Sequence, residues 1–264
     1  MTEAPRTVPG AIRDWVRPRL RSLPDRWDIG RRRLVGALRG KPVAHFIHVG
    51  KTGGTAMKAA LRTAPDAGAY TLFVWGHFQT LRRVPRGEKV VFFLRDPVSK
   101  FVSGFNYRQR EARPHFHIPW RAGEVLAFRR FQSPGELARA LSSDDPALRA
   151  EAVAAMGAIH QVKDSVFRWF ESEDYFRERL DDVLFIGFQD RLADDFEALK
   201  RALGLPQTLA LPGEDDSRYQ KSLSQAEPLD ALAVANLTAW YAADIRFYDF
   251  CRRFADARAA SDGA

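Results

Sequence analysis

The chain has 264 residues, of which 45% are hydrophobic and 28% are charged, and its net charge is +8. This length and composition are typical of a globular protein with a sizeable core. The single Cys251 excludes a disulfide framework within the chain. No apolar run reaches the roughly 20 residues of a membrane-spanning helix. We therefore expect a soluble, cytoplasmic protein.

Residues 1–42 are a basic segment, with 11 Lys/Arg against 4 Asp/Glu, while the rest of the chain is nearly neutral. Pro18 and Pro24 interrupt two short amphipathic stretches in it. We predict an arm that packs on the domain. The alternative is peripheral contact with anionic lipid or with an acidic acceptor. No motif has base-reading spacing, so we expect no nucleic-acid binding.

A buried strand is predicted from Val43, where the apolar run "VAHFIHV" begins. The loop of residues 50–55, "GKTGGT", follows, and then a helix that Pro65 ends. Gly-Lys-Thr also closes a Walker A loop, but that loop needs a glycine where this chain has His45. Here the further glycines follow the lysine, so a different phosphate-binding loop is indicated.

Three more apolar runs predict strands, at 69–78, 89–94 and 182–188. Because their apolar residues are continuous rather than alternating, we expect a parallel sheet that helices cover on both faces. Between the last two strands, residues 110–170 predict a helical insertion. A helix is predicted to begin near Pro97, after the third strand. Further helices are predicted at 133–141, where Ser133 and Glu136 form a capping box, and at 146–170, 190–204 (with Asp190 as N-cap) and 229–255.

Two candidate anion sites follow neighbouring strands. In the first, backbone N–H groups of the loop run into a helix N-terminus, where Lys51 adds a charge and Thr52 and Thr55 add hydroxyl donors. In the second, "FLRDPVSKFVSGF", Arg95 leaves a strand and Ser103 lies on the following helix. An arginine with a nearby hydroxyl is typical of phosphate recognition.

Together, "HVGKTGGT" and "RDPVSKFVSGF" resemble the two nucleotide-binding motifs of sulfotransferases that use 3′-phosphoadenosine 5′-phosphosulfate, in particular the branch that includes glycan 2-O-sulfotransferases. The resemblance extends from about Ala44 to Phe254. It implies an α/β fold, a P-loop-NTPase-like three-layer sandwich with a central parallel sheet, over residues 43–258. It also implies that Arg95 and Ser103 bind the 3′-phosphate. The loop that binds the 5′-phosphosulfate would comprise Gly50, Lys51, Thr52, Gly53, Gly54 and Thr55.

The resemblance further implies a histidine base, and His77 in "VWGHF" has that context. Lys51 would stabilise charge on the departing 5′-phosphate oxygen, and His77 would take the proton of the acceptor hydroxyl. Lys221 and Ser222 lie in the loop that closes over the nucleotide in this family. We expect His48 to be buried and hydrogen-bonded.

The expected activity is transfer of a sulfuryl group to an acceptor hydroxyl, as of a carbohydrate or glycolipid, with no metal requirement. The insertion at 110–170 is the expected acceptor side. The alternative is a kinase-like phosphotransferase that uses ATP and magnesium. Asp96 after an apolar run is compatible with a magnesium ligand, but Arg95 directly before it would repel the metal.

Overall fold

The structure is a computed structural model and describes residues 26–64, 68–113, 116–213 and 228–262. In chain order its helices and strands are α1 (Arg26–Leu38), β1 (Val43–Ile47), α2 (Gly54–Thr63), β2 (Thr71–Val74), β3 (Lys89–Leu94), α3 (Pro97–Gln109), α4 (Ala122–Arg130), α5 (Pro134–Ala140), α6 (Pro146–Ala158), α7 (Phe167–Phe170), α8 (Glu173–Arg177), β4 (Val183–Phe188), α9 (Leu192–Leu203), α10 (Ala231–Trp240) and α11 (Ala242–Asp262).

The four strands form one sheet in the order β2-β1-β3-β4, and every neighbouring pair is parallel. His45 in β1 lies opposite Phe73 in β2 and Val90 in β3, which sets the register. The predicted α/β class, a parallel sheet flanked by helices, is confirmed. Parallel strands bring their carboxyl ends to one edge, so the segments after β1, β2 and β3 lie there together.

Helices cover both faces of the sheet. Alternate residues of β3 point to opposite sides, and each set joins a separate apolar core. On one face Phe92 packs with residues of α7, α8 and α11, and on the other Phe93 packs with residues of α2 and α9. This two-sided burial explains the continuous apolar runs in the sequence.

Local signals correctly predict the start of α3. Pro97 occupies the first turn, and the Asp96 carboxylate accepts a hydrogen bond from the Ser99 N–H at 2.7 Å. Ser133 and Glu136 form the predicted capping box of α5. In both cases neighbouring residues alone satisfy the free N–H groups of a helix end, which makes such starts readable from sequence.

The predicted helix over 146–170 is wrong, because α6 ends at Ala158. Distant acceptors hold the following turns: the Glu124 carboxylate accepts the His160 N–H at 3.1 Å, and the Asp244 carboxylate accepts the Val166 N–H at 2.6 Å. These contacts replace the helical hydrogen bonds. Helix α4 lies in the predicted insertion but is not among the helices predicted individually; the Glu124 carboxylate caps its start.

Two predictions near the C-terminus are also wrong. Asp190 does not cap α9, which begins at Leu192; its carboxylate instead pairs with the Arg252 guanidinium at 2.6 Å. The last predicted helix is two helices, α10 and α11, that meet at Tyr241. The Tyr241 hydroxyl donates to the Val162 carbonyl at 2.8 Å, a contact that ties this junction to the insertion.

Helix α1 packs on the sheet through its arginines. Arg33 forms a bidentate pair with Glu88, and Arg32 donates to the Leu72 carbonyl at 2.7 Å. Leu34 and Leu38, predicted as part of an amphipathic face, are 62% and 79% exposed. Arg32 and Arg33 therefore lie on the face that meets the sheet, and these two leucines lie on the exposed face. None of the described helices combines the length and apolar character that crossing a lipid bilayer requires.

Candidate functional site

The loop that joins β1 to α2 presents a row of backbone N–H groups. Lys51 (φ 66°) and Gly53 (φ 79°) both adopt the left-handed conformation. No described backbone carbonyl accepts a hydrogen bond from the N–H groups of residues 51–55. Unpaired N–H groups in such a turn, at the N-terminus of a helix, form a concave site for an anion.

Gly54 lets the loop pack closely against His48. A Cβ at this position would lie 2.1 Å from the His48 Cδ2 atom, closer than any two such atoms can approach. Thr52 is only 1% exposed, and its hydroxyl donates to the Val49 carbonyl at 3.0 Å. Thr52 therefore stabilises the loop from inside, whereas Thr55 is exposed at its surface.

Two cations lie beside this loop without a carboxylate. The Lys51 ammonium lies 4.0 Å from the centre of the Tyr107 ring. The Arg95 guanidinium donates to the Ser99 hydroxyl at 2.9 Å and makes a long contact of 3.5 Å to the Lys51 carbonyl. Neither cation forms a salt bridge with any residue of the described ranges. Their charges are therefore available to a ligand.

The pKa values of Lys51 and Arg95 are both lowered. Desolvation lowers the pKa of Lys51 to about 8, and the positive charges of Arg95 and Arg110 contribute to the lowering. Desolvation also lowers the pKa of Arg95, while Asp96 opposes the shift. A bound anion would favour the charged forms of these groups, so the cluster is electrostatically suited to phosphate-like ligands.

In the structure the Arg95 guanidinium donates to the Ser99 hydroxyl, a contact that the sequence did not predict. Ser103 is half-buried, one helical turn further along α3, and its hydroxyl has no hydrogen-bond partner in the described part of the chain. Ser99 and Ser103, four residues apart, share one face of α3, and no sequence signal gives Ser99 a role. Ser103 remains a predicted ligand, and Lys221 and Ser222 lie outside the described residues.

His77 follows β2 and lies over the start of the loop. Its Nδ1 atom is 3.1 Å from the His48 carbonyl, and its ring stacks on the His48 ring with 3.8 Å between the centres. The Trp169 indole donates to the His77 carbonyl at 3.1 Å. Trp169 comes from the insertion, and no local sequence signal linked it to His77.

The His77 imidazole is a neutral group near pH 7. Desolvation lowers its pKa below 6.5, the His48 carbonyl opposes this shift, and the charges of Lys58 and Arg168 add to it. His77 is exposed to solvent. A neutral imidazole can accept a proton.

His48 is buried as predicted, with 2% exposure, but the expected hydrogen bond is absent. Its Nδ1 atom has no partner among the described residues. Burial, together with the charges of His77 and Lys58, holds its pKa well below 6.5. The His48 ring is therefore neutral and contributes to the site by its shape.

Comparisons with known proteins return no match: the chain matches no protein family, curated protein or solved structure. Function is therefore inferred from the residues at the carboxyl edge of the sheet. They combine an amide-lined loop, two cations that pair with no carboxylate in the described part of the chain, and a neutral histidine. This set can bind an anionic group and accept a proton beside it.

Proposed function

We propose that the protein is a sulfotransferase that moves the sulfuryl group of 3′-phosphoadenosine 5′-phosphosulfate to a hydroxyl of a saccharide or glycolipid. The observation that carries this proposal is the juxtaposition of Lys51 and Arg95, neither of which pairs with a carboxylate of the described residues, beside N–H groups of residues 51–55 that no described backbone carbonyl accepts. The strand-loop-helix arrangement at this edge also supports a P-loop-NTPase-like architecture.

The two ends of the nucleotide would occupy the two anion sites. The loop N–H groups and Lys51 would hold the 5′-phosphosulfate. The Arg95 guanidinium, which the Ser99 hydroxyl orients at 2.9 Å, would hold the 3′-phosphate. Ser103 lies on the same helix and would add a hydroxyl. A nucleotide with phosphates at both ends of its ribose fits this pair of sites.

The reaction would be an in-line displacement at sulfur. The acceptor oxygen forms a bond to sulfur while the bond between sulfur and the 5′-phosphate oxygen breaks. Lys51 stabilises the negative charge that develops on the departing oxygen. His77 takes the proton of the acceptor hydroxyl and later releases it to solvent.

The kinase-like alternative requires a carboxylate for magnesium beside the phosphates. Asp96, the candidate at this position, accepts the Ser99 N–H at 2.7 Å and caps α3. Arg95 precedes it directly and would repel a metal ion. This arrangement favours charge stabilisation by Lys51 and Arg95, and we expect transfer to proceed without magnesium.

Thermal unfolding with ligand tests the proposal. Adenosine 3′,5′-bisphosphate at about 100 times its dissociation constant adds roughly 2.7 kcal/mol to the free energy of unfolding. We expect a clear rise in Tm with the bisphosphate, which Arg95→Ala abolishes. Arg130→Ala is the matched control, because Arg130 is exposed and pairs with the exposed Glu151. A rise with ATP and magnesium alone would replace this proposal with the kinase-like function.

A further inference from the structure

We propose that His48 is a positioning residue for His77: its carbonyl selects the tautomer of His77, and its ring sets the place of the His77 ring relative to the loop. This inference rests on the proposed function, in which His77 is the base. It assigns a role to a buried histidine that makes no side-chain hydrogen bond within the described ranges.

The tautomer follows from the hydrogen bond. A backbone carbonyl can only accept, so the His77 Nδ1 atom, 3.1 Å from the His48 oxygen, must carry the proton. In a neutral imidazole the other nitrogen then has the free lone pair. The Nε2 atom of His77 is therefore the one that can take the proton of an acceptor hydroxyl.

The place of the His77 ring follows from packing. The His48 ring stacks on it at 3.8 Å and an angle of 29°, and the edge of the same ring lies against Gly54, the first residue of α2. The same imidazole thus touches both the anion-binding loop and the candidate base. Any shift of the His48 ring would change the distance between the two halves of the site.

Trp169 provides a further contact to the backbone of His77. Its indole N–H donates to the His77 carbonyl at 3.1 Å, and its ring edge lies 3.4 Å from where a Cβ of Gly50 would be. Trp169 therefore also bridges the loop and the base. Three contacts together, two from His48 and one from Trp169, fix His77 beside the loop.

His48 itself is not the base. It is 2% exposed and lies beneath the loop, so an acceptor hydroxyl cannot reach it. Because its imidazole forms no hydrogen bond within the described part of the chain, a phenyl ring of similar shape should replace it. His48→Phe tests the role of the ring, and His48→Ala removes the stack.

Nitrogen NMR of histidine-labelled protein measures the tautomer directly, with His77→Asn to assign the signal. We expect neutral His77 in the Nδ1–H form in the wild type and in His48→Phe. His48→Ala keeps the backbone carbonyl but removes the ring that holds His77 beside it, so we expect a mixture of tautomers in this variant. Trp169→Phe should show a partial loss of the preference. Trp120→Phe is the matched control, because it removes an equivalent indole hydrogen bond, to the Arg108 carbonyl at 2.8 Å, within the insertion.

Kinetics supply the second readout. We expect kcat to fall by at least about tenfold in His48→Ala, part of the roughly 10²–10⁴ that a positioned base contributes, with KM for the donor little changed and recovery in His48→Phe. A fixed tautomer in His48→Ala, or equal loss in both variants, would overturn the inference. The NMR signal needs no substrate. If the wild-type protein shows the Nδ1–H form but has no transferase activity, that result would contradict only the proposed function.

Discussion

Lys51 combines backbone strain with an uncompensated charge. Its left-handed conformation, φ 66°, costs a residue other than glycine roughly 1–2 kcal/mol. Its ammonium lies against the Tyr107 ring, and the charges of Arg95 and Arg110 help to lower its pKa to about 8. Strain of this kind persists where the surrounding structure holds it, and functional sites are where it concentrates.

The lowered pKa of Lys51 predicts how bisphosphate binding depends on pH. Below about pH 8 the Lys51 amine is charged, so its ionisation should not change the affinity for the bisphosphate. Above that pH the free protein must take up a proton to bind the anion, so affinity should fall by up to about tenfold per unit. Calorimetric titration from about pH 7 to 9.5 measures this.

Lys51→Arg is the control for this pH dependence. An arginine keeps its charge over the whole range, so the variant should show a flat profile if it still binds. An equal loss of bisphosphate affinity with rising pH in the wild type and in Lys51→Arg would mean that a group other than Lys51 causes the pH dependence.

At the scale of elements, the Glu124 carboxylate connects α3, α4 and the turn after α6. It is completely buried and accepts two hydrogen bonds from the Arg108 side chain, both at 2.7 Å. It also accepts the backbone N–H groups of Arg121 at 3.0 Å and His160 at 3.1 Å. A buried charge with this many donors is compensated, and it determines how the insertion folds.

Glu124→Gln should therefore destabilise the protein by about 3–5 kcal/mol, since it leaves the buried Arg108 charge without a partner. Urea denaturation measures the change. Glu151→Gln is the matched control, because it removes a carboxylate whose pair with Arg130 is exposed, and should cost less than about 1 kcal/mol. Similar losses of unfolding free energy in the two variants would show that the buried pair contributes no more to stability than the exposed one.

For the whole molecule, the attachment of α1 and the candidate site lie at opposite ends of the sheet. Arg33 pairs with Glu88, just before β3, and Glu88 also contacts the buried His45 at 2.5 Å. Arg95 follows the other end of the same strand, about 20 Å away for six residues in extended conformation. The basic helix therefore stabilises the sheet from the edge that carries no anion site.

Arg33→Ala should lower the free energy of unfolding by about 1 kcal/mol and leave the Tm increase on bisphosphate binding unchanged. Arg39→Ala is the control for charge alone, since Arg39 is exposed and has no salt bridge within the described ranges. Unfolding with and without ligand separates the two effects. A loss of the bisphosphate effect in Arg33→Ala would show that α1 and the site are coupled.

The sequence by itself determined the parallel sheet, the glycine loop and the start of α3, because apolar runs, prolines and capping residues act on their neighbours. Only the tertiary structure decided that Ser99 contacts Arg95, that His48 holds His77, and that the insertion breaks after Ala158. Specific partners far apart in the chain, such as Trp169 and His77, select these arrangements. Local propensity carries no information about partners that only folding brings together.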